Sequence, residues 1–133
     1  MSARIAIIED NPDNRMLLEA LLSDRYQIDE YEDGVVGLEG VRVKPPDLVL
    51  LDISLPRMSG PEVLAQIRAD PKLETLPVIA LTAHAMAEDR DAFLAQGFDA
   101  YVAKPILDER ELFTEIEKLL ERPLQPSLPR LIA

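Results

Sequence analysis

There is no cysteine in this chain, so disulfides and thiolate metal sites are excluded. With His84 as the one histidine, a multi-histidine metal centre is excluded as well. No apolar stretch approaches the roughly 20 residues that a membrane-spanning helix needs. The amino terminus lacks the basic start and apolar core of a secretory signal. A cytoplasmic protein without membrane contact is therefore expected. Basic residues are few, with 14 Lys and Arg against 25 Asp and Glu, for a net charge of −11. Nucleic-acid binding needs clustered Lys and Arg, so this balance argues against nucleic acid as a partner. Any phosphate bound here would be held by local charges against the overall field.

What is present suits one globular domain: 133 residues, 47% apolar and 29% charged, with no room for a second. The run Asp47-Leu48-Val49-Leu50-Leu51-Asp52 is the most informative stretch. Four consecutive aliphatic residues suit a strand covered on both faces, as in a parallel sheet flanked by helices. The side chain that follows such a strand emerges at its carboxyl end, where open α/β sheets bind ligands. Three other strand-like runs end on polar groups: Ile5 to Ile8 on Glu9-Asp10, Val78 to Leu81 on Thr82, and Ala100 to Val102 on Ala103-Lys104-Pro105.

Helical patterns fill the intervals. Asn11 can cap a first helix with Pro12 at its first position, and Met16, Leu17, Ala20 and Leu21 are expected to form its apolar face. Tyr26 to Tyr31 reads as a polar edge strand, followed by the turn signal Asp33-Gly34 and a short helix over Val35 to Val43 with Leu38 and Val41 inward. A third helix over Pro61 to Ala69 should bury Val63, Leu64 and Ile67. A fourth should run from Met86 to Gln96 and close at Gly97. The last is expected over Asp108 to Glu121, with Asp108 as cap and Glu111 three residues on. Five alternations of strand and helix predict a doubly wound five-stranded parallel sheet, and the weak second and fifth strands belong at its edges, which fits the flavodoxin-like order 2-1-3-4-5. The domain should occupy 1–121, and Pro123, Pro126 and Pro129 should keep the tail over 122–133 extended.

Glu9, Asp10 and Asp52 bring three carboxylates to neighbouring strand ends, an arrangement that repels itself unless a cation sits among them. Mg2+ suits such an oxygen-rich set. Lys104 adds a fixed positive charge and Thr82 a hydroxyl donor. Together these groups fit phosphoryl transfer onto a carboxylate, in which the protein positions groups and neutralises charge. Asp52 would be the nucleophile, and an ionised aspartate needs no general base.

Ile7-Ile8-Glu9-Asp10-Asn11, Leu50 through Gly60, Ala80-Leu81-Thr82-Ala83 and Tyr101-Val102-Ala103-Lys104-Pro105 resemble the receiver domain of two-component response regulators, over residues 4 to about 121. The nearest types are the stand-alone receivers related to DivK and the chemotaxis regulators, and the receivers of hybrid kinases. The resemblance implies that Asp52 accepts a phosphoryl group from a histidine kinase or phosphotransfer protein, with only weak Mg2+-dependent self-phosphorylation and self-dephosphorylation as enzymology. It implies that Asp10, Asp52 and the backbone carbonyl of Ser54 ligate Mg2+, with Glu9 acting through a water. Thr82 and Lys104 would contact phosphoryl oxygens, and the Lys104-Pro105 bond would be cis. Tyr101 stands at the switch aromatic, so that with Thr82 it would remodel the face of the fourth helix, fifth strand and fifth helix, where a downstream protein would bind. The protein would be a monomer or weak homodimer. Ser54 and His84 depart from the commoner residues at positions that affect access of hydrolytic water. The rival reading is a receiver-like interaction module that works without phosphate. An aspartate-nucleophile phosphatase would need a second catalytic aspartate where Ser54 stands.

Overall fold

The computed structural model describes residues 3–83, 87–104, 106 and 108–121. Its elements alternate throughout: β1 (Arg4–Ile8), α1 (Pro12–Leu22), β2 (Gln27–Tyr31), α2 (Gly34–Val43), β3 (Leu48–Asp52), α3 (Gly60–Ala69), β4 (Val78–Thr82), α4 (Ala87–Gln96), β5 (Ala100–Ala103) and α5 (Glu109–Leu120). All strand pairs are parallel, in the order β2-β1-β3-β4-β5. This is the doubly wound sheet expected from the alternation. Among the described residues, no helix is long and apolar enough to cross a membrane.

Strand side chains alternate between two cores, as the pleat requires. Ile5, Ile7, Leu48, Leu50, Ile79 and Leu81 pack with Leu18 and Leu22 of α1 and Leu112 and Ile116 of α5. Ala6, Ile8, Val49, Leu51 and Ala80 face α2 and α3, meeting Leu38, Val41, Val63, Leu64 and Ile67. Full burial of each large aliphatic side chain contributes about 1.5–3 kcal/mol, and β3 and β4 are buried along their whole length. The edge strand β2 is half-exposed and guarded by charge. Its Asp29 pairs with Arg4 at 3.1 Å and Lys44 at 3.7 Å.

The small second helix lies close to the sheet because glycines share its inner face with Leu38 and Val41. A Cβ on Gly37 would stand 2.6 Å from Ile8 Cδ1, and one on Gly40 would stand 2.2 Å from the ring of Tyr31. Asp33 caps this helix by accepting from the Val36 N–H at 2.8 Å.

Two expectations need correction. The apolar face of α1 is Leu18 and Leu22, with Leu21 partly buried, whereas Met16 and Leu17 are exposed. Ala20 is exposed too. The helix is rotated because Arg15, on the stripe of Leu18 and Leu22, reaches back to the Glu9 and Asp10 carbonyls at 2.8 and 3.2 Å. At α5, Asp108 caps through the Arg110 N–H rather than through a Glu111 box, since the Arg110 side chain folds onto the same carboxylate. The reciprocal capping box belongs to α3, between Ser59 and Glu62. Met86, His84, Pro105 and the tail from Arg122 lie outside the described residues, and with them the expectations of a cis bond and an extended arm.

Candidate functional site

Parallel pairing brings the carboxyl ends of the strands to one rim. Register sets Ile8 beside Leu51, Asp52 beside Leu81 and Thr82 beside Ala103. The residues closing β1, β3, β4 and β5 therefore meet there. Glu9 is fully buried, Asp52 and Thr82 are almost so, and Asp10 is exposed. Carboxylate oxygens of Glu9, Asp10 and Asp52 all lie within 4.8 Å of one another.

Lys104 closes the cluster. Its Nζ stands 3.1 Å from Asp52 Oδ2 and donates to Glu9 Oε1 at 3.3 Å. Its backbone N–H donates to the Thr82 carbonyl at 2.7 Å, which ties the lysine to the end of β4. The other Asp52 oxygen, Oδ1, accepts from the Ser54 N–H at 3.1 Å. Asn11 N–H donates to Glu9 Oε2 at 3.1 Å. Each buried carboxylate is thus oriented by a backbone donor on one oxygen and the ammonium on the other.

Burial pushes the Glu9 carboxyl above its ordinary range, and the neighbouring Asp52 charge adds to this against the Asn11 N–H and Lys104. Burial alone would pull the Lys104 ammonium down, but Asp52 and Glu9 together hold it above its usual value. A raised folded-state value for Glu9 means that the native protein binds more protons than the unfolded chain just above the ordinary glutamate range, which begins near pH 4.3. Its contribution is therefore fully present below that range and is lost as pH rises through the raised value. Urea midpoints between about pH 4 and 7, measured in chelator, should show this decline in the wild type and a flatter profile in Glu9→Gln. Equal slopes would show that Glu9 does not set it.

Tyr101 is not in the acidic cluster. It sits half-buried one residue before Val102, on the sheet face that holds α2 and α3, with its ring 6.5 Å from that of Phe93 of α4. The loop after Asp52 is fixed at both ends. Gly60 N–H donates to the Ile53 carbonyl at 3.0 Å, and Arg57 pairs with Asp33 at 3.0 Å. Arg57 adopts a left-handed φ of 68°, which costs a non-glycine residue about 1–2 kcal/mol. The Val36 N–H and the Arg57 guanidinium hold the Asp33 carboxyl below its usual range. Sequence reasoning passed over Asp33 and Arg57 as a pair, and over Arg15. The latter left one signal: a cation beside a helix amino terminus opposes the helix dipole and so needs another partner.

A carboxylate triad with one ammonium matches the oxygen-donor chemistry of a hard divalent cation, and Glu9, Asp10 and Asp52 could hold one. Residues 5–117 match the family model described as response regulator receiver domain. The chain is 37% identical over 116 residues to hybrid signal transduction histidine kinase D of Dictyostelium discoideum, which covers 87% of this chain but 7% of that protein. The chain thus spans a small fraction of that relative's length, as it does of the Pseudomonas protegens sensor histidine kinase GacS, of which it spans 12%. An uncharacterized 14.6 kDa protein of Leptolyngbya boryana is 38% identical over 115 residues, covering 86% of this chain and 87% of that one. Among solved structures, the receiver domain of a Pseudomonas aeruginosa sensor histidine kinase superposes with a TM-score of 0.83 at 31% identity, covering 92% of this chain and 100% of that one. Its crystals hold a magnesium ion coordinated in the active-site cleft.

Proposed function

The chain belongs to the response regulator receiver domain family, whose role is phosphoacceptance, and from that premise we propose that Asp52 is the acceptor and that Glu9, Asp10 and Asp52 hold Mg2+. The observation that carries this reading is the set of three carboxylates within 4.8 Å, with Lys104 bridging Asp52 and Glu9. An Asp52 carboxylate oxygen forms a bond to phosphorus as the bond from phosphorus to the donor's imidazole nitrogen, or to a small acyl phosphate's oxygen, breaks. The leaving imidazole or carboxylate carries off the electron pair.

Bound Mg2+ would supply positive charge toward the phosphoryl oxygens. Lys104 adds the protein's own charge at the same rim, and the Ser54 N–H orients the carboxylate. The Ser54 carbonyl would complete the protein ligands, with Glu9 acting through a water. Thr82, nearly buried at the end of β4, would donate to a phosphoryl oxygen. Its movement, followed by that of Tyr101 against Phe93, would alter the face of α4, β5 and α5 toward a downstream protein. The donor would be a histidine kinase or phosphotransfer protein.

Intact mass after incubation with acetyl phosphate tests the reading. With Mg2+ the protein should gain one phosphoryl group, and with chelator in place of Mg2+ it should gain none. No gain in either condition would favour a module that binds partners without phosphate.

A further inference from the structure

We infer that Arg15 is a positioning residue for the divalent-cation site, fixing the turn that carries Glu9 and Asp10 and so setting the affinity for Mg2+. The inference rests on the metal reading proposed above. It starts from an asymmetry between the acidic residues. Asp52 is the last residue of β3, flanked by paired strands on both sides. Asp10 lies beyond the end of β1, in the turn before α1, where no strand fixes it.

The turn is held instead by backbone hydrogen bonds at its two ends and by one side chain between them. Glu9 N–H donates to the Tyr31 carbonyl at 3.1 Å, and Arg15 N–H donates to the Asn11 carbonyl at 3.0 Å. The guanidinium then takes both intervening carbonyls, with Arg15 Nη1 2.8 Å from Glu9 O and 3.2 Å from Asp10 O. Its Nε faces Glu30 Oε1 of β2 at 3.7 Å, so the clamp is anchored to a second strand. The side chain is only 20% exposed. Mg2+ demands near-octahedral geometry at about 2.0–2.1 Å and tolerates little displacement of its ligands. A clamp on the peptide groups on either side of Asp10 thus acts on affinity without touching the ion.

Charge and geometry predict opposite signs, and this makes the inference decidable. If Arg15 acted only as a nearby cation, its removal would relieve repulsion and tighten Mg2+ binding. If it positions the turn, its removal weakens binding although a positive charge has gone. Calorimetric titration with MgCl2 alone should show weaker binding in Arg15→Ala by about 10–100-fold, the range typical for supports behind metal ligands. Arg15→Lys keeps the charge but not the planar fork, and should also bind more weakly than wild type. In acetyl phosphate reactions the half-saturating Mg2+ concentration should rise, while the rate at saturating Mg2+ stays within about twofold of wild type. Unchanged or tighter Mg2+ binding in the variants would overturn the inference, as would a lowered plateau with unchanged half-saturation. If Arg15→Ala does not fold, Arg15→Lys decides alone. A wild type that binds no Mg2+ would instead remove the metal reading itself.

Discussion

Asp52→Asn should gain no phosphoryl group from acetyl phosphate under conditions that modify the wild type, and should lose none of its fold. The amide matches the carboxylate in shape, so the contact from the Ser54 N–H to Oδ1 can persist. What disappears is the anionic nucleophile, and loss of a nucleophile costs orders of magnitude in rate. The structure also supplies a control for stability. Asp52 is nearly buried beside Glu9, and its charge helps to push the Glu9 carboxyl up. Removing that charge relieves the repulsion, which offsets the weakened Lys104 contact at 3.1 Å, and leaves Lys104 paired with Glu9 at 3.3 Å. The urea midpoint of the variant in chelator should accordingly be no lower than that of wild type. A mass gain persisting in Asp52→Asn would move the acceptor to Asp10 or Glu9. A collapsed midpoint would make Asp52 a structural residue.

The largest expected loss of stability lies at the other end of the sheet. Arg68, near the end of α3, uses all five of its guanidinium donors. Nε and Nη2 donate to the Gly97 carbonyl at 3.2 and 2.8 Å, Nη1 to the Glu74 and Leu76 carbonyls at 3.1 and 2.7 Å, and Nη2 also to Asp99 Oδ2 at 3.0 Å. Asp99 in turn accepts from the Val78 N–H at 2.8 Å, where β4 begins. One side chain therefore joins α3, the loop leading to β4, the end of α4 and the approach to β5. Arg68→Ala leaves several carbonyls and a carboxylate short of partners. With water replacing some of them, the loss should be about 2–4 kcal/mol by urea unfolding. Arg68→Lys should recover little, since an ammonium cannot span the same acceptors. Because these contacts lie at the amino ends of the strands, phosphorylation of the folded variant should proceed nearly as in wild type. A loss below about 0.5 kcal/mol would show that water replaces the whole set.

Much of this architecture is legible from the chain because local signals agree with one another. The aliphatic runs ending at Asp52 and Thr82 carry strand identity, burial and direction together, and the strand order follows from the weakness of the segments at Gln27–Tyr31 and Ala100–Ala103. Glu9, Asp10, Asp52 and Lys104 could be grouped beforehand because each follows or ends a strand. The rotation of α1 could not be read in the same way. Leucines at 17, 18, 21 and 22 offer two equivalent stripes at helical spacing, and the choice falls to a contact between Arg15 and two carbonyls. Arg68 and the Asp33–Arg57 pair are invisible for a related reason. A sequence shows an arginine's charge but not which distant carbonyls its planar fork will meet.

The glycine-lined contact of α2 with the sheet bears on where that helix gets its order. Glycine is among the poorest helix formers, about 1 kcal/mol below alanine at each interior position, and α2 carries Gly37 and Gly40 within ten residues flanked by β-branched valines. Ten residues of that composition would be coil as an isolated peptide. The segment is helical because Ile8 and Tyr31 fill the places where side chains would otherwise stand. Its secondary structure is thus conferred by its tertiary neighbours, the strands β1 and β2 against which its glycines sit.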